Sequence, residues 1–460
     1  MLESRGRVPW LSAKDAPHLS LMSEQALPLQ LSPALAQALA ALDELVDWER
    51  RDRSDMQRTL APVEDVLERL GNPHHAWQGV LVAGTKGKGS VASMVAAGLA
   101  RAGLLVGLYT SPHVERVTER VVLGGEEVAD NCLAAALDKV LTAREAAIES
   151  HSPGAAATWF DCLTAAAFVC FEEAGVDWAV VEVGIGGRLD STRVVEASVA
   201  LVTGVDLEHT ATLGDTRRKI ATEKGAVVAN KGVLLTGVSP RGSDGQPDEA
   251  WEALEEVCSK AKASLVSVGQ NGSFEERNLA LATATLAELG RGGVVDQYGA
   301  PLWRSHLDET TVRSARLPAR DERFLVAGVQ VVLDGGHVAS SIEALLDRHE
   351  RDPELGKKPK LLLALGLEKD AHTILKALQG RVDRCLCTTL LGASSGGRFF
   401  SDQALAEVAH EVGHDPEAWD DPREALTELL SDAASGGGWV LICGSFYLAG
   451  LLRPLLRSST

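Results

Sequence analysis

The sequence has no long hydrophobic run, no excess of positive charge and no paired cysteine motif. Apolar stretches such as 165–171 and 361–365 are far shorter than the ~20 residues needed to cross a bilayer. Lys and Arg number 45 against 64 Asp and Glu, and this net charge of −19 argues against nucleic acid or anionic membrane as a partner. The 7 cysteines include no Cys-x-x-Cys pair, which favours reduced thiols over disulfides or a zinc site. We therefore expect small-molecule ligands and, by default, a cytoplasmic protein, with mitochondria and plastids left open; we also expect a monomer.

Short aliphatic runs alternate along the chain with longer, alanine-rich amphipathic stretches, a pattern typical of buried parallel strands in α/β proteins. At about 150 residues per domain, the 460 residues are enough for several domains. The segment 290–318 is rich in glycine and charge and has no sustained period, so we place a domain boundary at its end. This division gives an N-terminal extension over 1–41, a first domain over 42–315 and a second over 316–460. The predicted strands are 80–83, 104–109, 178–183, 198–203, 232–236, 329–333, 360–365 and 439–443.

The strongest local signal is VLVAGTKGKGSV at 80–91, between a predicted strand and a predicted helix. Glycines without Cβ let backbone N–H groups converge on phosphate oxygens, and the start of a helix adds partial positive charge. Lys88 would then reach the terminal phosphates. The usual pattern G-x-x-x-x-G-K-[ST] is not met, because Val82 and Gly89 stand at two of its fixed positions. The alternative is an ordinary glycine-rich turn with an exposed lysine.

Polar residues also follow three other predicted strands, at the ends where α/β sheets bind their ligands. These residues are Ser111 in the sequence TSPH, Glu182 and His209. A buried carboxylate such as Glu182 needs a charged partner, which is either Arg188 or a Mg²⁺ ion near nucleotide phosphates. Taken alone, His209 is more typical of a surface or capping residue than of a ligand.

The motifs occur in the order GTKGKGS, TSPH, EVGIGGRLDST, EHT, LGDT, EKGA, PAR and DGGH. In this order they resemble the folylpolyglutamate synthase and dihydrofolate synthase family, within the larger group of Mur-type ligases. The resemblance implies a P-loop-type ATPase domain with a mostly parallel sheet, followed by a smaller Rossmann-like α/β domain. It also implies an ATP- and Mg²⁺-dependent ligase that joins L-glutamate to a folate carboxylate through an acyl phosphate. A second Mg²⁺ or a monovalent cation is left open.

The resemblance further implies roles for individual residues. Lys224 in EKGA matches a lysine that the family modifies to a carbamate, an anion able to support a second metal. Arg320 in PAR matches an arginine that contacts ATP, and Asn278 matches an adenine-side position. Asp334 and His337 in DGGH match contacts of the second domain with the ribose and the γ-phosphate. The implied phosphate ligands are Thr85, Gly87, Lys88, Gly89 and Ser90, the implied metal ligands are Ser111, Glu182 and His209, and the implied catalytic set is Lys88, Glu182, His209, Lys224 and His337.

Folylpolyglutamate synthase is therefore the expected function. The alternatives are a dihydrofolate synthase, which joins dihydropteroate to L-glutamate, a bifunctional enzyme, another Mur-type amino-acid ligase, and a nucleotide-binding protein without ligase activity. For His337, the alternative to a phosphate contact is a cap on the helix predicted to begin near Ser340. Departures from the family pattern bear on the fit of the folate rather than on the phosphate site; they are Asp161, Arg193, Glu208, Val338 and Cys443.

Overall fold

The computed structural model describes residues 31–48, 59–242, 244–269, 272–355, 357–390 and 399–458. The described chain forms two compact units that divide between Arg320 and Asp321. The sequence predicts this boundary slightly earlier, between 315 and 316. Residues after 315 remain with the first unit because the chain is held there: the Ser93 hydroxyl donates to the Ala315 carbonyl at 2.7 Å. Among the described residues, no helix is long and apolar enough to span a membrane.

The first unit contains a sheet with helices on both faces. Its strands are β1 (Gln78–Ala83), β2 (Val106–Tyr109), β3 (Val121–Leu123), β4 (Glu126–Glu127), β5 (Trp178–Glu182), β6 (Val199–Val202), β7 (Val233–Thr236) and β8 (Ser264–Ser267). Its helices are α1 (Pro33–Asp43), α2 (Ala61–Arg69), α3 (Lys88–Arg101), α4 (Asp130–Glu149), α5 (Trp159–Ala174), α6 (Thr210–Leu213), α7 (Arg217–Gly225), α8 (Glu249–Ala261), α9 (Phe274–Arg291) and α10 (Glu309–Ser314).

The strand order in this sheet is β4-β3-β2-β5-β1-β6-β7-β8. Strand β1 lies in the middle and pairs in parallel with both β5 and β6, so that Val80 is opposite Val180 on one side and Val199 on the other. Among the described strands of this sheet, only those of the β2-β3-β4 edge pair in antiparallel fashion. The α/β prediction is confirmed, and the short antiparallel edge is a feature that the search for buried apolar runs misses.

Side chains of β1 alternate between two hydrophobic cores, as expected for a strand buried on both faces. Leu81 and Ala83 belong to the core that includes α1, α4 and α5. Val80 and Val82 belong to the opposite core, which includes α3 and α9. The sheet therefore separates two helical layers and holds the loop after β1 at its centre.

The predicted N-terminal extension over 1–41 is wrong in its last part. Its residues 1–30 lie outside the described residues, but α1 begins at Pro33 and takes up the end of this segment. Leu35 and Ala38 are buried in the core of the first unit, and the Ser32 hydroxyl accepts from the Leu35 N–H at the start of the helix. The Ser32 N–H itself donates to Asp130 Oδ2 at 2.7 Å. This short alanine-rich helix is thus part of the domain.

The second unit is a smaller sheet of strand order β13-β12-β11-β14-β10-β9. Strand β9 is antiparallel to β10, and the other described pairs are parallel, as in a Rossmann-like domain. One of its cores combines Ile342, Ile374 and Leu405 with the strands. Its strands are β9 (Glu322–Val326), β10 (Val329–Leu333), β11 (Lys360–Leu363), β12 (Arg384–Thr388), β13 (Pro416–Trp419) and β14 (Val440–Cys443); its helices are α11 (Ala339–His349), α12 (Ala371–Leu378), α13 (Asp402–Glu411), α14 (Pro422–Gly436) and α15 (Phe446–Ser458).

Candidate active site

The predicted phosphate and metal ligands of the first unit lie at or after the carboxyl ends of four neighbouring parallel strands, β2, β5, β1 and β6. Ser111 follows β2, Glu182 is the last residue of β5, and His209 follows β6. Because the strands are parallel, these ends share one edge of the sheet, where ligands bind in this class of fold. The glycine-rich loop after β1 lies between them.

The loop from Gly84 to Gly87 needs glycine at both ends. Gly84 has φ +141° and Gly87 has φ +78°, values that residues with a Cβ rarely adopt. Lys88 is the first residue of α3, so the backbone N–H groups of the helix start face the loop. The loop is also held from β6, because the Thr203 hydroxyl donates to the Lys86 carbonyl at 2.5 Å. This geometry suits an anion at the helix N-terminus.

Gly87 lies against Asn278 in the first turns of α9. A Cβ added at Gly87 would lie 2.6 Å from Asn278 Oδ1, so no larger side chain fits there. Asn278 is 4% exposed. The structure thus brings the predicted adenine-side residue to the phosphate loop, although its contact with adenine stays a prediction.

Gly89, Glu182 and Arg320 converge on the other side of Lys88. A Cβ added at Gly89 would lie 2.7 Å from Arg320 Nη2 and 3.1 Å from Glu182 Oε2. The backbone N–H of Ser111 donates to Glu182 Oε2 at 3.0 Å. Three predicted site residues that are far apart in sequence therefore meet at the first turn of α3.

Glu182 is 3% exposed, and burial raises its pKa, while the charges of Lys88 and Arg320 act to lower it. The alternative partner suggested by the sequence, Arg188, is wrong. Its guanidinium pairs with Glu223 instead, at 2.8 and 2.9 Å. The carboxylate of Glu182 thus faces Lys88 and Arg320. From this position it could also bind a metal ion that is held by nucleotide phosphates.

Lys224 is buried beneath the same loop, with 2% exposure. Its Nζ donates to the Gly84 carbonyl at 2.9 Å and to Glu208 Oε1 at 2.5 Å. Burial, partly opposed by Glu208, lowers the pKa of Lys224 to about 8. Taken alone, a lysine that follows a glutamate on a helix is typical of a solvent-exposed face, and Lys224 departs from this. Its spacing of four residues from the buried Ile220 was the available signal.

Glu208 is a site residue whose contact with Lys224 the sequence did not reveal. Burial acts to raise its pKa, but the charges of Lys224 and Lys88 outweigh this and hold it below its usual value. His209, the next residue, is exposed and has a left-handed backbone with φ +46°, and its charge also lowers the pKa of Glu208. A metal site shared by His209, Ser111 and Glu182 stays a prediction.

The two remaining phosphate-loop residues occupy different surroundings. The Thr85 hydroxyl accepts from the Asp206 N–H at 3.1 Å, which ties the loop to the segment after β6. Ser90 is half-buried in the first turn of α3. Within the described residues, no group of three or more His, Cys, Asp or Glu side chains is arranged to hold a metal by itself. A metal here would depend on phosphate oxygens and water as additional ligands.

Arg120 is a further buried residue that the sequence motifs did not single out. It is 2% exposed, lies with its guanidinium carbon 4.9 Å from the ring centroid of Trp159, and donates from Nε to His113 Nδ1 at 2.8 Å. Its charge also lowers the pKa of Glu182. The signal for it is weak because Arg120 and its partner His113, in the TSPH motif, are 7 residues apart in the connection between β2 and β3, where no regular period links them.

In the second unit, Asp334 and His337 lie in the loop after β10. Asp334 Oδ1 accepts from the Gly336 N–H at 2.7 Å, and His337 Nδ1 lies 2.9 Å from the Gly335 carbonyl oxygen. Helix α11 starts at Ala339 and its N-cap is Val338 rather than His337, which argues against a capping role for His337. Contacts of Asp334 and His337 with ATP stay predictions.

Fold and site together define a phosphate-binding α/β protein of the Mur ligase class. The second unit supports this directly, because residues 319–446 match the family model described as Mur ligase, glutamate ligase domain. The folylpolyglutamate synthase of Lacticaseibacillus casei is 30% identical over 422 residues, which cover 85% of this chain and 92% of that protein. The chain belongs to the folylpolyglutamate synthase and dihydrofolate synthase family.

Other relatives extend this comparison. A probable bifunctional folylpolyglutamate synthase/dihydropteroate synthase of Haloferax volcanii is 36% identical over 312 residues, covering 63% of this chain but only 36% of that longer protein. Mycobacterium tuberculosis folylpolyglutamate synthase complexed with ADP has a TM-score of 0.76 at 26% identity, covering 92% of this chain and 98% of that one. A bifunctional folylpolyglutamate synthase/dihydrofolate synthase with Mn, AMPPNP and L-glutamate bound has a TM-score of 0.72 at 26% identity, covering 93% of this chain and 100% of that one. The family resemblance in the motifs is confirmed.

Proposed function

We propose that this chain is a folylpolyglutamate synthase, an ATP- and Mg²⁺-dependent ligase that joins L-glutamate to a carboxylate of a folate. The observation that carries the proposal is the convergence of Glu182, Gly89 and Arg320 at the start of α3, next to Lys88. A carboxylate this buried is costly unless charged partners face it, and here the partners are Lys88 of the glycine-rich loop and Arg320. Relatives named for this activity support the same conclusion.

The residues present fit a nucleotide with its divalent metal. A Cβ at Gly87 would meet Asn278, and one at Gly89 would meet Arg320 and Glu182, so these glycines let polar and charged side chains approach the loop backbone closely. The start of α3 beside them favours an anion. Glu182 and Ser111 offer the oxygen ligands that Mg²⁺ prefers, and phosphate and water would complete the shell. When bound, Mg²⁺ supplies positive charge that offsets the repulsion between the γ-phosphate and the substrate carboxylate. Relatives of known structure carry ADP, or Mn with AMPPNP, in agreement with this fit.

The chemistry requires two anions to meet. A folate carboxylate oxygen attacks the γ-phosphorus, the bond to ADP breaks, and an acyl phosphate forms. The neutral amine of glutamate then attacks the acyl carbon, phosphate leaves, and the amine loses its proton. Lys88 and Arg320 would hold the transferring phosphate in place, and the Ser111 N–H fixes the orientation of Glu182 beside it.

Lys224 takes part in this proposal through its amine. With a pKa of about 8, roughly a tenth of Lys224 is neutral at about pH 7, and the neutral amine is the form that combines with CO₂ to give a carbamate and a proton. A carbamate at this position would place a second anion beside Glu208. The carbamate and the Glu208 carboxylate would then need a cation between them, which would be either a second divalent metal ion or a monovalent ion.

A second candidate function is dihydrofolate synthase, alone or combined with the first. The relatives from Mycobacterium tuberculosis and Escherichia coli are named dihydrofolate synthase/folylpolyglutamate synthase, at 28% and 30% identity. Both reactions use the same ATP site and differ in the acid that is activated. A nucleotide-binding protein without ligase activity is disfavoured, because the relatives that cover most of this chain are named for ligase activity.

One assay separates these candidates. The purified chain is incubated with Mg-ATP and labelled L-glutamate, and with dihydropteroate, tetrahydrofolate or a folate monoglutamate as the acid. Glutamate incorporation with the folates alone identifies a folylpolyglutamate synthase. Incorporation with dihydropteroate alone identifies a dihydrofolate synthase, and incorporation with both kinds of acid identifies a bifunctional enzyme. ADP release without any labelled product would contradict the proposal.

Three further features belong to the proposal. The first unit would be the ATP-binding domain and the second the C-terminal ligase domain. The protein would act as a monomer, which sedimentation analysis checks. Its location would be cytoplasmic, which imaging of a tagged chain checks.

A further inference from the structure

Asp321, the first residue of the second unit, is held by two side chains of α11. His349 Nε2 lies 2.7 Å from Asp321 Oδ1, and Arg348 pairs with the other carboxylate oxygen. The His349 side chain is 0% exposed and its ring packs edge-on against Trp439 at 5.3 Å. The anchor of Asp321 is therefore buried and rigidly packed.

The contacts of His349 fix its tautomer. Its Nδ1 lies 3.2 Å from Nη2 of Arg323, and a guanidinium can only donate hydrogen bonds. Nδ1 is thus the acceptor and the proton lies on Nε2, which donates to Asp321. Arg323 is itself paired with Asp352 at 2.7 Å. A continuous polar chain links Asp352 to Asp321.

The backbone of Asp321 makes the contact that concerns the nucleotide. Its N–H donates to Asp334 Oδ2 at 2.8 Å, while the other oxygen of Asp334 accepts from Gly336. Asp321 has φ +53°, and Ala319, two residues earlier, has φ +50°. Residues with side chains seldom adopt this backbone conformation, so the surroundings must hold it. The strained residues lie on both sides of Arg320.

We propose that Asp321 is a positioning residue for the nucleotide: anchored by Arg348 and His349, it orients the Asp334 carboxylate and fixes the chain where it leaves Arg320. Asp334 lies at the carboxyl end of β10, where the ligand of such a sheet is expected. The inference rests on the proposed function, because it takes ATP as that ligand. It adds a residue whose effect on the nucleotide passes through the backbone rather than through contact.

The test compares Mg-ADP affinity, measured by calorimetry, with the melting temperature of the full chain. Asp321→Ala removes the anchor and the side chain, and we expect ADP to bind about tenfold more weakly. Asp321→Asn keeps the size of the side chain and tolerates the left-handed backbone, so it should fold and weaken ADP by about threefold. His349→Leu should lower the affinity for ADP as much as Asp321→Ala does. The double variant should bind ADP only slightly more weakly than either single variant, because both substitutions remove the same contact.

Glu322→Gln is the matched control. Glu322 is the next residue, and its carboxylate accepts two bonds from Arg453 of α15, at 2.7 and 2.8 Å, rather than from α11 residues that hold Asp321. The Glu322→Gln variant should lower the melting temperature as the Asp321 variants do, and its affinity for ADP should stay within about twofold of the wild-type value. If the Asp321 variants lower the melting temperature and leave ADP affinity unchanged, the role is structural and the proposal is wrong.

Because the measurement uses ADP alone, it separates the two proposals. A chain that binds ADP but ligates no glutamate contradicts the proposed function and leaves the Asp321 comparison valid. A wild-type chain that binds no ADP contradicts both.

Discussion

Replacing Lys88 by methionine tests the phosphate site most directly, because it removes the charge and keeps the aliphatic stem. Lys88 Nζ donates to the Gly84 carbonyl at 3.1 Å, a bond that the variant loses. Loss of such a bond at a half-buried site costs about 1 kcal/mol of the free energy of unfolding. Because the entropy of unfolding grows with chain length, the melting temperature of a unit as large as Leu31–Arg320 should fall by only about 1–2 °C.

The expected effect on the reaction is much larger. A unit charge about 4 Å from the transferring phosphate, at an effective dielectric constant of about 20, contributes roughly 4 kcal/mol. Since 1.4 kcal/mol corresponds to about a factor of ten, kcat should fall by about a hundredfold to a thousandfold. The assay is glutamate incorporation at saturating ATP, with thermal melting measured on the same samples.

The pH profile provides a second readout of the same change. Lys88 lowers the pKa of Glu182, which burial raises, so Lys88→Met should raise the pKa of Glu182 further. Glu182 would then take up its proton at higher pH, and the acidic limb of the rate profile should move upward. Lys86→Met is the control: Lys86 lies in the same loop but pairs with the exposed Asp206 at 3.6 Å, and its loss should change kcat by less than about threefold. Retention of more than about a tenth of kcat in Lys88→Met would refute the assignment of Lys88 to the phosphates.

Three further predictions test other parts of the site. EDTA should abolish ligation and added Mg²⁺ should restore it, because Glu182 and Ser111 need the ion to meet the phosphate; activity that survives EDTA would remove the metal site. His337→Ala should lower kcat by about a hundredfold with a melting temperature within about 2 °C of wild type, since α11 has no side-chain cap to lose; a lowered melting temperature with normal kcat would contradict this. Lys224→Arg should lower kcat by about tenfold or more. In the wild type, ¹³C-labelled bicarbonate should give a carbamate signal that weakens as the pH falls below about 8, because protonated Lys224 cannot react with CO₂. An equally strong carbamate signal in Lys224→Arg would show that the modified residue is not Lys224.

Strands that are buried on both faces were readable from the sequence, because such strands are continuous apolar runs. The predicted run 329–333 coincides with β10, and 80–83 lies within β1. The antiparallel β3 and β4 were missed because they are two or three residues long and partly exposed. Helix α1 was missed because nothing in a short alanine-rich stretch shows that Ser32 reaches Asp130, 98 residues later.

The candidate site was likewise predictable only in part from the sequence. Glycine positions and strand ends predicted where Gly87, Gly89 and Glu182 would lie, since backbone geometry restricts which residues fit there. The partner of Glu182 was not predictable, because Arg188 is near in sequence while Arg320 is near in space. The same holds for Lys224 and Glu208, whose pairing depends on how α7 packs under the loop.

The central place of β1 also constrains the order in which this protein can fold during synthesis. Its two neighbours, β5 and β6, and the Thr203 that holds the phosphate loop are made long after β1 itself. At the usual rate of translation, β1 waits on the order of ten seconds for these partners. Pairing between such distant segments is intrinsically slow, and an unpaired central strand is a template for aggregation. ATP can therefore assist folding only after the first unit is nearly complete, and nascent chains shorter than this should depend on chaperones.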